Sequence, residues 1–529
     1  MSASREKHRR QDLKSSPDYK PVGEKKHFPK WAARLIWISA LVLAVLAIGW
    51  TTLNAGVLNQ YVPAMHVNGE SVTVAEYNYY LNSTAINYTN YVNQLYGNEI
   101  TGLTPDMQVG LKQQWLDELN KETWADYFHE QTVNDIRDIV SLAQRAREAG
   151  LTLDSDDKSY VDAQISSLRD FATQYQTSSV KVLAANYGRG VTTAIYRKVL
   201  ERSLLAQKYE SYYDENIDTG DAALDAYYDT HAGDVDEVDF RMFSFTATAP
   251  ALEDETGLLE VSQAEQDEAD AVVYGTVRAK AEEMIGKITS SSDFNTYARE
   301  YAPEDSTEDY DDPETGLAKN YIRKDLPEAL AEWLYDSART QGELGIVELK
   351  DSAEKVTTVY VLMFLDRKRG DYETIDVRHL LVTFEKDSED AEPTEEQKTA
   401  AREKAQAYLD EYLAGEQSEG AFAALATAHS EDTGSQSAGG LYENVALNTM
   451  VAPFEDWIYA SARRPGDTGL VESSFGYHVM YFVGKGETRW KLLASGQMHE
   501  LATEELNAAM EAEAVISQSG FGMFFSGTK

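Results

Sequence analysis

The side chains best suited to chemistry fall in five short runs between positions 377 and 479. They are Val377-Arg378-His379-Leu380-Leu381-Val382, Ser430-Glu431-Asp432, Gly439-Gly440-Leu441, Met450-Val451-Ala452-Pro453-Phe454 and Ser474-Phe475-Gly476-Tyr477-His478-Val479. Imidazole, carboxylate and hydroxyl groups can hold and orient protons, although a lone histidine more often has a structural role. The 529 residues include no cysteine, which removes disulfides, thiolate zinc sites, iron–sulfur clusters, a cysteine nucleophile and a lipidated N-terminal cysteine. Neither G-x-S-x-G nor H-E-x-x-H occurs, so a protease or hydrolase finds no support. The acids Glu304, Asp305, Glu308, Asp309, Asp311 and Asp312 lack the D-x-D-x-D-G order of a calcium loop and read as a flexible acidic loop. No metal site and no cofactor is expected.

These runs need strands and helices to bring them together, and the sequence shows such elements twice. Leu326–Glu348 and Met450–Glu472 align without a gap over 23 positions at a spacing of 124, with nine identities. Ordinary composition gives about one or two such matches. Upstream, VDFRMFSF (from Val238) parallels VRHLLVTF (from Val377), each an alternating strand pattern. An acidic linker and a capping box follow each strand, Ser262-x-x-Glu265 and Thr394-x-x-Gln397, and each helix stops at a glycine, Gly286 and Gly415. A domain of about 110–130 residues is therefore duplicated, which is not a short-period solenoid.

The five runs, in this order and spacing over more than 100 residues, resemble a parvulin-type peptidyl-prolyl isomerase domain. The resemblance implies that His379 on the first strand and His478 on the last face each other beneath an active cleft, with Asp432 between them. Ser473 and Ser474 fall where the family has a hydroxyl near the twisted amide. Leu441, Met450 and Phe454 match the pocket for the substrate proline ring. Rotation about an Xaa-Pro bond faces a barrier of about 18–20 kcal/mol from amide resonance, and lowering it requires no nucleophile and no metal. A dry pocket that grips the ring and an environment favouring the twisted amide suffice. The loop Glu385–Glu392 is strongly acidic and would repel a phosphorylated residue, so phospho-specificity is not expected. In the first copy Phe240 replaces the strand histidine, Tyr360 (or Val359) replaces the second, and Asp305 matches Asp432; that copy reads as non-catalytic.

The whole chain resembles the PrsA/SurA group of extracytoplasmic foldases. The expected fold class is α+β: an N-terminal transmembrane helix, an all-helical SurA/PrsA-like chaperone domain and two tandem parvulin-like domains, each a small antiparallel sheet surrounded by helices. Residues 1–34 carry ten Lys/Arg against four acids, whereas the whole chain has a net charge of −41. Residues 35–53 carry no charge, and nineteen residues at about 1.5 Å each span roughly 28 Å, enough for a hydrocarbon core. The positive-inside rule puts the tail in the cytoplasm and the bulk of the chain outside, and the resemblance implies that the membrane is that of a Gram-positive-like bacterium. The expected divisions are a basic tail 1–34, a signal anchor 35–54, a helical chaperone-like domain 55–234, a degenerate parvulin-like domain 235–370 and an isomerase domain 371–487. A C-terminal helical segment, 488–529, is expected to return to the N-terminal domain.

Residues 68–230 read as mostly helical, with helices over Gln113–Thr132, Val133–Glu148, Ser155–Tyr175 and Thr192–Asp214. Tyr77, Tyr80, Tyr88, Tyr91 and Tyr96 recur at near-helical spacing and read either as packing residues or as an aromatic cleft for extended polypeptide. The strong acidity argues against a nucleic-acid partner. Expected partners are unfolded or newly translocated polypeptides with Xaa-Pro bonds, and the membrane through one helix. Two functions follow: an isomerase that assists the folding of secreted proteins, or a catalytically weak tethered holdase.

Overall fold

A computed structural model of the chain describes residues 56–96, 103–106, 111–117, 120–248, 263–351, 356–386, 388 and 391–526, with a few isolated positions before residue 44. The anchor expected at 35–54 lies outside the described residues but for five positions. Among the described residues no helix is long and apolar enough to cross a membrane. The described chain mixes helices with small antiparallel sheets and divides into two units, residues 1–216 with 504–529, and residues 217–503.

In the first unit, Asn68-Gly69 turns β1 (Pro63–Val67) into β2 (Glu70–Thr73), both residues adopting positive φ. Helix α1 (Val74–Tyr96) follows directly, because Thr73 and Glu76 cap its start: the Glu76 carboxylate accepts from the Thr73 amide at 3.0 Å and hydroxyl at 2.8 Å. Glu76 is fully buried and paired with Arg202 at 3.0 Å and Lys198 at 2.9 Å; despite the opposing cost of burial, these cations and the Thr73 bond hold its pKa below the ordinary value. A short hairpin, β3 (Trp115–Asp117) and β4 (Glu122–Thr123), precedes α2 (Trp124–Glu148). Then come α3 (Ser155–Gln174), α4 (Ser179–Tyr187) and α5 (Thr193–Glu215).

Two expectations need correcting here. The N-terminal region is not all-helical: β1 pairs with β2 on one side and with Ile516–Gln518 on the other, forming a three-stranded sheet. The third strand comes from the far end of the chain, where no local pattern announces it. The two helices expected between 113 and 148 are one, α2. Its reciprocal Thr123/Asp126 cap starts it, and no Gly or Pro breaks it at Val133.

The second unit begins with α6 (Asp221–Val235). Its first sheet comprises β5 (Glu237–Thr248), β6 (Leu317–Ile322), β7 (Leu344–Asp351) and β8 (Val356–Lys368), in the order β6-β5-β8-β7. Helices α7 (Gln263–Lys287), α8 (Asp293–Tyr301) and α9 (Glu328–Leu334) accompany it. The second sheet repeats that order as β10-β9-β12-β11, from β9 (Glu373–Thr383), β10 (Leu441–Val445), β11 (Thr468–Glu472) and β12 (Gly476–Thr488). Its helices are α10 (Glu395–Ala414), α11 (Glu419–His429) and α12 (Ala452–Ile458). The reciprocal Thr394/Gln397 cap starts α10 and Gly415 ends it; Ser262 lies outside the described residues. Both sheets are antiparallel throughout. One face of the second sheet packs Leu380, Val382 and Val479 against α10 and α11, and the other packs Val377, Met480 and Phe482 against Phe454 and Ile458 of α12. A last long helix, α13 (Arg489–Glu513), leaves β12 and runs from the second unit into the first.

Candidate functional site

The two histidines reach each other through strand register. Strands β9 and β12 are neighbours in which Leu381 pairs with His478 and Met480 with His379, so the imidazoles are diagonal neighbours on one face. Their rings lie 5.3 Å apart at 28°, with Nδ1 3.1 Å from Nδ1. His379 is 3% exposed and His478 is 5% exposed.

The Ser430-Glu431-Asp432 run positions the carboxylate by stapling the end of α11 to β9. The Leu381 amide donates to the Ser430 hydroxyl at 3.1 Å, the Glu431 amide donates to the Leu381 carbonyl at 2.9 Å, and the Thr383 amide donates to the Glu431 carboxylate at 2.8 Å. Asp432 Oδ2 then accepts from His379 Nε2 at 2.9 Å, from the Tyr442 hydroxyl at 3.0 Å and from the Ser435 hydroxyl. Gly439 and Gly440, both at positive φ, bring the next segment back onto β9: the His379 amide donates to the Gly440 carbonyl at 2.8 Å, and a Cβ on Gly440 would collide with the His379 carbonyl.

These contacts fix the protons. The His379 hydrogen bond, aided by Ser435 and Tyr442, holds the Asp432 carboxyl far below its ordinary range against the cost of burial, so it is ionised. Burial pushes His478 down to about 4, with His379 adding to the effect, so that ring is neutral. A carboxylate only accepts, so His379 donates from Nε2; with that ring as the neutral tautomer, its Nδ1 accepts. His478 must then donate from Nδ1 and accept at Nε2, where the Ser473 hydroxyl sits at 2.7 Å. In that tautomer set the hydrogen bonds run in one direction, from Ser473 through His478 and His379 to Asp432. Phe454, 2% exposed, lies edge-on to both imidazoles at 5.4 Å. The assembly is a pre-ordered polar line under an aromatic ring. Every ring nitrogen in it has a partner, so it suits tuning the polarity above it better than attacking a substrate.

The sequence-derived residues do not all converge. His379, His478, Asp432, Ser473 and Phe454 meet, and Met450 packs half-buried beside Phe454. Asp432 does not lie between the histidines: His379 bridges it to His478, because Asp432 follows α11 on the β9 side. Ser474 is exposed on the turn before β12. Leu441 pairs with Arg378, on the sheet face opposite His379; its neighbour Tyr442 pairs with Val377 and stacks on His379 at 5.3 Å. Ser435 and Tyr442 were not singled out from sequence; each sits within three residues of a quoted run, and that proximity is the only signal they carry.

The two copies superpose in register, not in the alignment the strand patterns suggested. Val347 faces Tyr360 as Val471 faces His478, and Met242 faces Leu362 as His379 faces Met480. Met242, not Phe240, therefore stands at the His379 position, and Tyr360 stands at that of His478. A two-residue slip keeps the alternation of a strand intact, so pattern alone could not detect it.

Residues 379–484 match the Rotamase family, described as a PPIC-type PPIase domain. Foldase protein PrsA 1 of Listeria innocua is 31% identical over 98 residues, which cover 17% of this chain and 33% of that relative. The chain thus spans about a third of the length of the curated relative it matches. Among solved structures, PrsA of Bacillus anthracis is 21% identical, covering 30% of this chain and 58% of that one at a TM-score of 0.17. PrsA of Bacillus cereus is 17% identical, covering 53% and 90% at 0.18. A structure described as one of two SurA-like chaperones of Campylobacter jejuni is 24% identical, covering 27% and 51% at 0.17.

Proposed function

With a PPIC-type PPIase domain at residues 379–484, we propose that the chain is a membrane-anchored, extracytoplasmic peptidyl-prolyl cis-trans isomerase that assists the folding of secreted proteins. The observation that carries this reading is the directed line Ser473–His478–His379–Asp432 beneath Phe454. An Xaa-Pro amide loses its charge separation as it twists, so a water-poor aromatic floor over a fixed polar line favours the twisted form over the planar one. Phe454 and Met450 would hold the proline ring, and Tyr442 takes the place expected for Leu441. Ser473 would act through His478, and Ser474 has no part. The uncatalysed step takes tens to hundreds of seconds, long enough for an exported chain to aggregate. The uncharged run 35–53 behind a basic tail supports the anchor and the topology. The first copy, with Met242 and Tyr360 at the histidine positions, would hold or space clients without catalysing.

The test is isomerisation of Xaa-Pro peptides by the full chain beside its His379→Ala and His478→Ala variants. Acceleration that either substitution lowers at least tenfold (about 1.4 kcal/mol in barrier) without unfolding the protein supports the reading. A folded wild-type chain that accelerates nothing leaves a holdase.

A further inference from the structure

The first unit holds a cleft of about 700 Å³ between α1, α2 and α5. Its walls are tyrosines: Tyr79, Tyr80, Tyr88 and Tyr91 from α1 and Tyr127 from α2. Tyr88 meets Tyr127 and Phe128 edge-on, each at 5.6 Å, so the wall is a packed ladder of rings. Tyr80, only 4% exposed, sets its hydroxyl beside Arg202 and Ser203.

Three carboxylates share this cleft. Asp138 pairs with Arg137, whose Nε and Nη2 donate at 2.7 and 3.1 Å. Asp135 accepts from the Thr84 hydroxyl at 2.7 Å, and Glu210 faces the cleft from α5. Among the described residues no cation lies within ion-pair distance of Asp135 or Glu210. Burial, with the charge of Asp138 adding, holds both above the ordinary carboxylate range.

A neutral apolar segment entering this cleft would desolvate two unpaired carboxylates with nothing in return, and an acidic one would be repelled. A lysine or arginine instead lays its aliphatic stem along the rings and carries its charge to the carboxylates. We propose that this cleft binds extended polypeptide through a lysine or arginine side chain, with the tyrosines as walls and Asp135 and Glu210 as the cation's partners. The site stands apart from the isomerase centre, since no residue of 371–487 takes part.

The test uses proline-free fluorescent decapeptides of alanine and leucine with a central lysine, norleucine or glutamate, titrated against the full chain. The lysine peptide should bind about tenfold more tightly than the norleucine peptide at low salt, and the advantage should shrink as salt rises. The Asp135→Asn/Glu210→Gln double variant should lose the lysine preference, while His478→Ala keeps it. Equal binding of the lysine and norleucine peptides to the wild-type chain overturns the proposal, as does a preference that survives in the folded double variant. If that variant does not fold, the salt dependence of the wild-type preference decides alone. Because the probes lack proline, loss of isomerase activity and loss of this site read out separately.

Discussion

The Ser473 hydroxyl lies 2.7 Å from His478 Nε2, while the adjacent Ser474 is exposed on the same turn. Ser473→Ala removes the donor that keeps the His478 proton on Nδ1. We expect kcat/KM on Xaa-Pro peptides to fall several-fold to tenfold, the equivalent of about 1 kcal/mol, with Ser474→Ala within about twofold of wild type. Equal losses from the two variants would show that the hydroxyl acts on substrate and not through His478.

The His478 ring is neutral in the folded protein down to about pH 4, against an ordinary value of 6.5. Between those values the unfolded chain binds the extra proton and the folded chain does not. Stability is therefore fully present above 6.5 and falls as pH drops towards 4, by up to about 3 kcal/mol. Asp432 adds loss of the same sign below its ordinary 3.8. Selective ¹³C labelling of the nine histidines lets the His478 ring be followed by NMR. A His478 resonance that titrates near 6.5 would refute the buried neutral ring, whereas isomerase activity flat from pH 8 to 5.5 agrees with it.

Tyr442 and Leu441 offer a direct contrast between the two sheet faces. Tyr442→Phe keeps the stack on His379 and deletes the 3.0 Å bond to Asp432. It should lower kcat/KM about threefold to tenfold, and Leu441→Ala should change it by less than about twofold. The reverse order would return Leu441 to the proline pocket.

Gly469 lies flat against Trp457, where a Cβ would come within 2.5 Å of the indole nitrogen, while Arg463 covers the ring at 3.7 Å from its centroid. Gly345 and Trp333 repeat the arrangement in the first copy, with Arg339 at 4.5 Å. Gly469→Ala should destabilise the protein by about 2 kcal/mol through overpacking. Gly484→Ala, on β12 with nothing within 4 Å of a new Cβ, should stay within about 0.5 kcal/mol. Thermal unfolding midpoints of the two variants check this.

That glycine–tryptophan–arginine unit also explains what could be read from the sequence. Close packing of a ring on a bare backbone tolerates few substitutions, so the identities Trp333/Trp457, Arg339/Arg463 and Gly345/Gly469 kept the duplication legible. The two histidines and Asp432 were legible because their runs retain order and spacing. Sheet geometry hid the remainder. A one-residue offset moves a side chain through the sheet, as for Leu441 and Tyr442, and a two-residue offset leaves every local pattern unchanged, as for Phe240 and Met242. The sheet in the first unit was invisible for a third reason: Val67 pairs with Ile516, and no window of sequence contains both.

That last pairing sets an order of assembly. A chain delivered N-terminus first presents β1 with one edge bare until Ile516–Gln518 arrives, after all of residues 217–503 have emerged. The second unit can thus mature while the first is still open, and the first must shield a sticky strand edge in the meantime. Removing only residues 516–529 would leave the second unit's sheets complete yet hold the first unit permanently in its unfinished state.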